Sequence, residues 1–150
     1  MTPKDLKART EEFSRCIVRF CTPLLEDRRA TDIARQLLRS GTAVDSNYGS
    51  AQRGRSHKEF TSRLGTVYDD ASESYGWLDL LKASGLAPAS DLLTFLHRES
   101  DELTRIFAAA YRTARLKEAR DREDRRKRRS RKPPPPDESL NPPGDEPPTP

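Results

Sequence analysis

Apolar side chains recur every three or four residues in four separate stretches of this chain, and nothing in residues 1 to 114 alternates as a strand would. A chain patterned this way buries its core by laying helices side by side. Phe13, Ile17, Phe20 and Leu24 make the first stripe, on a helix predicted to end near Leu25. Ile33, Leu37, Val44, Tyr48 and Ala51 make the second, with Thr31-Asp32 as its expected cap and an end near Gln52. Ser56-His57-Lys58-Glu59 reads as a capping box, in which Ser takes a backbone donor and Glu reaches back to the cap amide. Phe60, Leu64, Val67, Ala71, Leu78 and Leu81 follow it, until Ser84-Gly85 supplies a left-handed stop. Pro88 suits the first turn of a fourth helix, whose expected core face is Leu92, Leu96, Leu103, Ile106 and Ala110. Short connections between them predict an all-α, antiparallel up-down-up-down four-helix bundle.

Composition divides the chain into three parts. Residues 1 to 114 hold 46 of the 49 apolar residues and nearly balanced charge, 17 Lys+Arg against 16 Asp+Glu, so they form the one domain able to bury a core. Residues 115 to 132 carry eleven basic and four acidic residues, a local charge of +7 that exceeds the +4 of the whole chain. The overall basicity belongs to this segment, which Glu118 with Arg122 and Asp121 with Arg125 could extend as helix by pairing at spacing four. Residues 133 to 150 hold nine of the twelve prolines, four acids and Leu140, a composition expected to stay disordered and partly polyproline II. No apolar run approaches the ~20 residues of a membrane span, and the first residues lack a secretory pattern, so a cytoplasmic protein is expected. Cys16 and Cys21, five apart on one helix, are out of disulfide reach and read as reduced core thiols.

One region carries a resemblance. Ser40-Gly41-Thr42, Asn47-Tyr48, the basic turn Arg53-Gly54-Arg55, Ser56, Phe60, Glu73 and Trp77-Leu78 follow one another as in a bacterial four-helix-bundle family. That family is named after a protein encoded in intervening sequences of 23S ribosomal RNA. The resemblance spans roughly residues 10 to 114 and departs at Gly49-Ser50, where relatives carry an acid shortly after the Asn. It implies a ring-shaped homopentamer. It also implies a distant likeness to the accessory protein of diversity-generating retroelements, which binds nucleic acid and a reverse transcriptase.

Each conspicuous residue has a plainer reading beside the functional one. Gly41, Gly49 and the small residues around them could line a cavity, yet close approach of a helix or subunit accounts for them without a ligand. Asn47, Asp70 and Glu73 could converge as an acid-base group, although such residues more often satisfy one another and fix register. Trp77 and Tyr75 could stack on bases, but aromatics at helical spacing usually pack. His57 and His97 lack a second ligand at metal spacing, and no phosphate loop, nucleophile elbow or metal motif occurs. No cofactor, metal or catalytic residue is therefore assigned, and the chain is read as a non-enzyme.

The expected function is binding of nucleic acid, chiefly RNA, by a homo-oligomer with a multivalent basic surface. Arg53, Arg55 and Lys58 supply the turn; Arg115, Lys117, Arg122 and Arg125 supply the root of the arm. Arg126, Lys127, Arg128, Arg129, Arg131 and Lys132 supply its end. Gly41, Asn47, Gly49, Glu73 and Trp77 are the candidate packing or oligomer residues. The alternative is a scaffold presenting the Pro-rich tail to a nucleic-acid enzyme such as a reverse transcriptase.

Overall fold

A computed structural model describes residues 1 to 131; Lys132 and the Pro-rich segment 133 to 150, expected to be disordered, lie outside the described residues. Four helices account for the described chain: α1 (Pro3–Leu24), α2 (Thr31–Gln52), α3 (His57–Ser84) and α4 (Asp91–Arg131). Consecutive helices pack against each other, α1 closes on α4 through a narrower contact, and the diagonal helices α2 and α4 meet through the Tyr48 and Phe107 rings, 5.2 Å apart at their centroids. This is the up-down-up-down bundle that the apolar spacing predicts. No described helix is long and apolar enough to cross a membrane.

Local chemistry sets most helix ends, though not always with the expected residue. Ser56 caps α3 by accepting from the Glu59 amide at 3.1 Å. The Glu59 carboxylate, however, accepts from the Arg55 amide at 3.0 Å and not from the cap amide, so the reciprocal half of the box is displaced by one residue. Gly85 ends α3 with a φ of 68°, a conformation that glycine alone adopts without a Cβ penalty. Thr31-Asp32 does not cap α2. Its N-cap is Ala30, without a side-chain bond, and the Asp27 carbonyl accepts from the Ala30 and Thr31 amides in a turn that launches the helix. Pro88 likewise precedes α4, which is entered at Ser90, whose hydroxyl accepts from the Leu93 amide at 3.1 Å. At the other end of the chain Thr2 and Asp5 form a full capping box, with Pro3 as the first residue of α1.

The core holds the expected residues of α1, and most of those expected of α2 and α3, fully or nearly fully buried. Cys16 and Cys21 are free and buried, and burial pushes the Cys21 thiol up to about 12, a value that leaves it protonated and inert. The face of α4 is the exception. Leu93, Leu96, Leu103, Phe107 and Ala114 are buried, whereas Leu92, Ile106 and Ala110 flank the core. Apolar residues lie side by side at 92 and 93 and again at 106 and 107, so periodicity within α4 fits two rotations about its axis. Packing against α3 selects one of them.

Gly41 and Gly49 differ in what surrounds them. A Cβ at Gly41 would stand 2.8 Å from both Cγ1 and Cγ2 of Ile17, a fully buried β-branched side chain on α1 with no room to turn aside. A Cβ at Gly49 would meet only the flexible ends of Arg53 at 3.3 Å and Lys7 at 3.6 Å. Gly41→Ala is therefore expected to cost ~1 to 3 kcal/mol by overpacking, while Gly49→Ala gains up to ~1 kcal/mol of helix propensity. Chemical denaturation of the two variants reads the difference, and equal shifts would remove the close approach of α1 and α2 at Gly41 as its cause.

Candidate nucleic-acid interface

Antiparallel packing puts the end of α2, the start of α3 and the last core turn of α4 at one end of the bundle. His57 on α3 lies 3.0 Å through Nε2 from the Ala114 carbonyl, the point at which α4 leaves the core. Past it the helix continues through Arg131, a further 17 residues or about 25 Å of axis, with no buried residue. A cleft of about 380 Å³ between the two elements is lined by Ser56, His57 and Lys58 on one side and Glu118, Asp121, Arg122 and Arg125 on the other. Lys58 at the start of α3 and the basic arm, some sixty positions apart in sequence, thus adjoin.

The charges of this region differ in burial. Glu118 and Asp121 are the half-buried members of the arm and lie against the start of α3, where unpaired backbone amides favour an anion. Arg53, Arg55, Lys58, Arg115, Lys117, Arg122 and Arg125 are exposed, as are Arg126, Lys127, Arg128, Arg129 and Arg131. The spacing-four pairs expected of Glu118 with Arg122 and Asp121 with Arg125 do not close; among the described residues, the arm's ion pair is Glu123 with Lys127 at 2.7 Å. At the α2–α3 turn a second cleft of about 480 Å³, with no lining residue from the arm, gathers Ser50, Arg53, Arg55, Glu59 and Arg63. Glu59 is engaged there by Arg63 at 2.9 Å and by the Arg55 amide, which holds its carboxyl below the usual range. The guanidiniums of Arg53 and Arg55 have no carboxylate within 4 Å among the described residues.

The residues singled out for packing lie elsewhere, along the contact of α2 with α3. Asn47 donates through Nδ2 to Asp70 at 2.7 Å, the Ser40 and Ser74 hydroxyls meet at 3.0 Å in full burial, and Arg39 donates to Glu73 at 2.9 Å. The Trp77 indole nitrogen donates to the same Glu73 carboxylate at 3.2 Å, and its ring packs against the core. Each polar group in this seam has a partner, which fixes the register of the two helices. Gly41 belongs to the α1 contact instead. His97 lies 2.9 Å from Asp79 and beside the Tyr75 ring.

Burial pushes the Asp70 carboxyl upward and outweighs the Asn47 hydrogen bond. The folded chain consequently holds its proton more tightly than the unfolded chain does. Asp70 favours folding most at acid pH, and that contribution falls as pH rises above 3.8 through the raised value. Asp70→Asn keeps an acceptor for Asn47 and removes the ionisation. The variant is expected to melt higher than the parent at pH 7 and to lose that advantage near pH 4. A parent-variant difference independent of pH would exclude the burial of a charge as the cause.

Sequence reasoning identified the cations but passed over Tyr68 and Tyr111, which the fold places beside the root of the arm. With Ala108, Arg112, Arg115, Leu116 and Ala119 they line a groove of about 490 Å³. The spacing of four between Tyr111 and Arg115, a helical neighbour relation, was its only sequence signal.

Comparison with known proteins gives one kind of match. No sequence model of a protein family matches the chain, and no curated protein does. Among solved structures, the chain is similar to a protein with unknown function from the S23 ribosomal protein family of Bacteroides thetaiotaomicron. The match has a TM-score of 0.67 and 23% sequence identity, and it covers 75% of this chain and 99% of that one. At that identity the likeness establishes a shared fold.

Proposed function

We propose that this protein is a non-enzymatic accessory protein of the cytoplasm that binds nucleic acid, with RNA as its target, through a basic surface repeated in a homo-oligomer. The observation that carries the reading is the continuation of α4 past Ala114 as an arm with no fully buried residue, with ten basic and four acidic residues from 115 to 131. A solvated helix dense in Arg neutralises phosphates and releases counterions, giving affinity that depends on charge and not on base sequence. Lys58 widens the same surface at the base of the arm, and Arg53 and Arg55 add a second cluster of cations at the α2–α3 turn.

Two further points support it. The residues between Ser40 and Leu78 resemble a family tied to ribosomal RNA insertions, and the structural neighbour is described as belonging to an S23 ribosomal protein family. Relatives in the resembling family form pentamers, and a pentamer would present five arms. Fluorescence anisotropy of a labelled RNA with the full chain and with a chain ending at Ala114 tests the reading, together with light scattering for mass. Equal affinities for the two chains would set it aside, leaving the scaffold for a nucleic-acid enzyme as the better account. A monomer at tens of micromolar would remove the multivalent part alone.

A further inference from the structure

The groove beside the arm has a composition that phosphate binding alone does not require. Tyr68 from α3 and Tyr111 from α4 are half-buried and line it with Ala108 and Ala119, and Leu116 stands 57% exposed at its edge. Gly65 makes the site possible: a Cβ there would stand 3.1 Å from the Tyr111 ring, so glycine lets that ring approach the α3 backbone closely. The Arg115 guanidinium lies over the Tyr111 ring, 5.7 Å from its centroid, and Arg112 lines the same groove. Neither Arg112 nor Arg115 has a carboxylate within 4 Å among the described residues, unlike Arg105 two turns before Arg112, which pairs with Asp101 at 3.0 Å.

A flat aromatic wall, an apolar floor and two unpaired guanidiniums, continuous with a cationic arm, match one kind of occupant. That occupant is a flat, apolar-faced group with an anion attached to it, which is a nucleotide. We infer that the Tyr68–Tyr111 groove receives an unstacked base of a single-stranded nucleic acid, with Arg112 and Arg115 on the adjoining phosphates. This inference rests on the nucleic-acid reading above and deepens it, because it assigns single strands over duplexes. A base inside a duplex is stacked on both faces and cannot enter, whereas a single strand offers the face that tyrosine takes up. Arg115 moves from the ring to the phosphate when the base arrives, so one side chain serves the empty and the filled groove.

The test uses the full-length protein with two labelled probes, a single-stranded oligouridylate of about 12 nucleotides and an RNA duplex of the same length. Tyr111→Leu and Tyr68→Leu keep the apolar area and remove the ring, while Tyr111→Phe keeps the ring. Each Leu variant is expected to weaken single-strand binding roughly 5- to 100-fold, the span measured for loss of one base-aromatic stack. Duplex affinity and the salt slope of both probes should stay at the parent values, and Tyr111→Phe should bind as the parent does. Replacing one uridine with 4-thiouridine and irradiating the parent complex gives a readout that needs no variant, with cross-links expected on the groove. Parent-like single-strand affinity in both Leu variants, or cross-links confined to the arm, would overturn the inference while leaving charge-driven binding intact. Leu variants with altered oligomer mass would also overturn it, by making the groove a contact between copies. Absence of any RNA binding by the parent would instead overturn the functional reading and this inference together.

Discussion

Arg9→Ala is expected to lower the stability of the full chain by about 2 to 4 kcal/mol, a large loss for a change at a partly exposed position. Arg9 grips Glu99 with two bonds, Nε to Oε1 at 2.7 Å and Nη2 to Oε2 at 2.9 Å, and also reaches Glu102. Glu99 is only 7% exposed, so removing the guanidinium leaves a nearly buried carboxylate with no cation. Breaking a buried pair in this way costs about 3 to 5 kcal/mol, and the lower figure here reflects the water that Arg9 still meets. The pair also joins α1 to α4, the narrowest contact between adjacent helices of the bundle, so its loss opens the side on which α4 is held. Arg9→Leu combined with Glu99→Leu should recover most of the stability, because it removes the stranded charge along with its partner. Urea denaturation of the two single variants and the double variant reads this directly. A loss below about 0.5 kcal/mol in Arg9→Ala would mean that the bridge contributes no more than an exposed surface pair.

Two truncations of the arm should move RNA affinity in opposite directions. Ending the chain at Ala114 removes eleven cations, and if about six of them touch phosphate, the slope of log affinity against log salt flattens by roughly 0.7 × 6, or about 4, for a single strand. At low salt the loss should reach orders of magnitude. Ending the chain after Lys132 keeps those cations and removes Asp137, Glu138, Asp145 and Glu146. Four acids tethered next to the cluster act at roughly millimolar effective concentration and compete with phosphate, so this second cut is expected to tighten binding at low salt. Anisotropy over a salt series compares the three chains. A cut after Lys132 that leaves affinity unchanged would show that the acidic segment does not compete.

Where helix ends are set by local chemistry, the sequence could be read closely. The Ser56 cap, the Gly85 stop and the ends of α1 and α2 depend on groups within four residues of each other, and each was legible. Thr2 and Asp5 carried a signal of the same kind at the start of α1, though it was passed over. Thr31-Asp32 and Pro88 misled for a common reason. Each is a helix-starting residue type near a true start, but the nearby turns at Asp27 and Ser90 supply the bonds. The cations of the candidate interface were likewise legible as a composition, since charge density needs no fold to be counted.

Taken alone, the sequence determined the all-α class, four helices, the stripes of α1 to α3 and the concentration of excess positive charge in residues 115 to 132. These follow from spacing along one helix and from short-range backbone bonding. Tertiary structure decided what joins residues far apart. It chose Leu93 and Phe107 over Leu92 and Ile106, because α3 packs against one of two available faces of α4. It brought Arg9 to Glu99, set the start of α3 at residues 56 to 58 beside the root of the arm, and laid Tyr111 over Gly65. Antiparallel packing sets such neighbours, and the spacing within any single helix carries no record of which helix lies next to it.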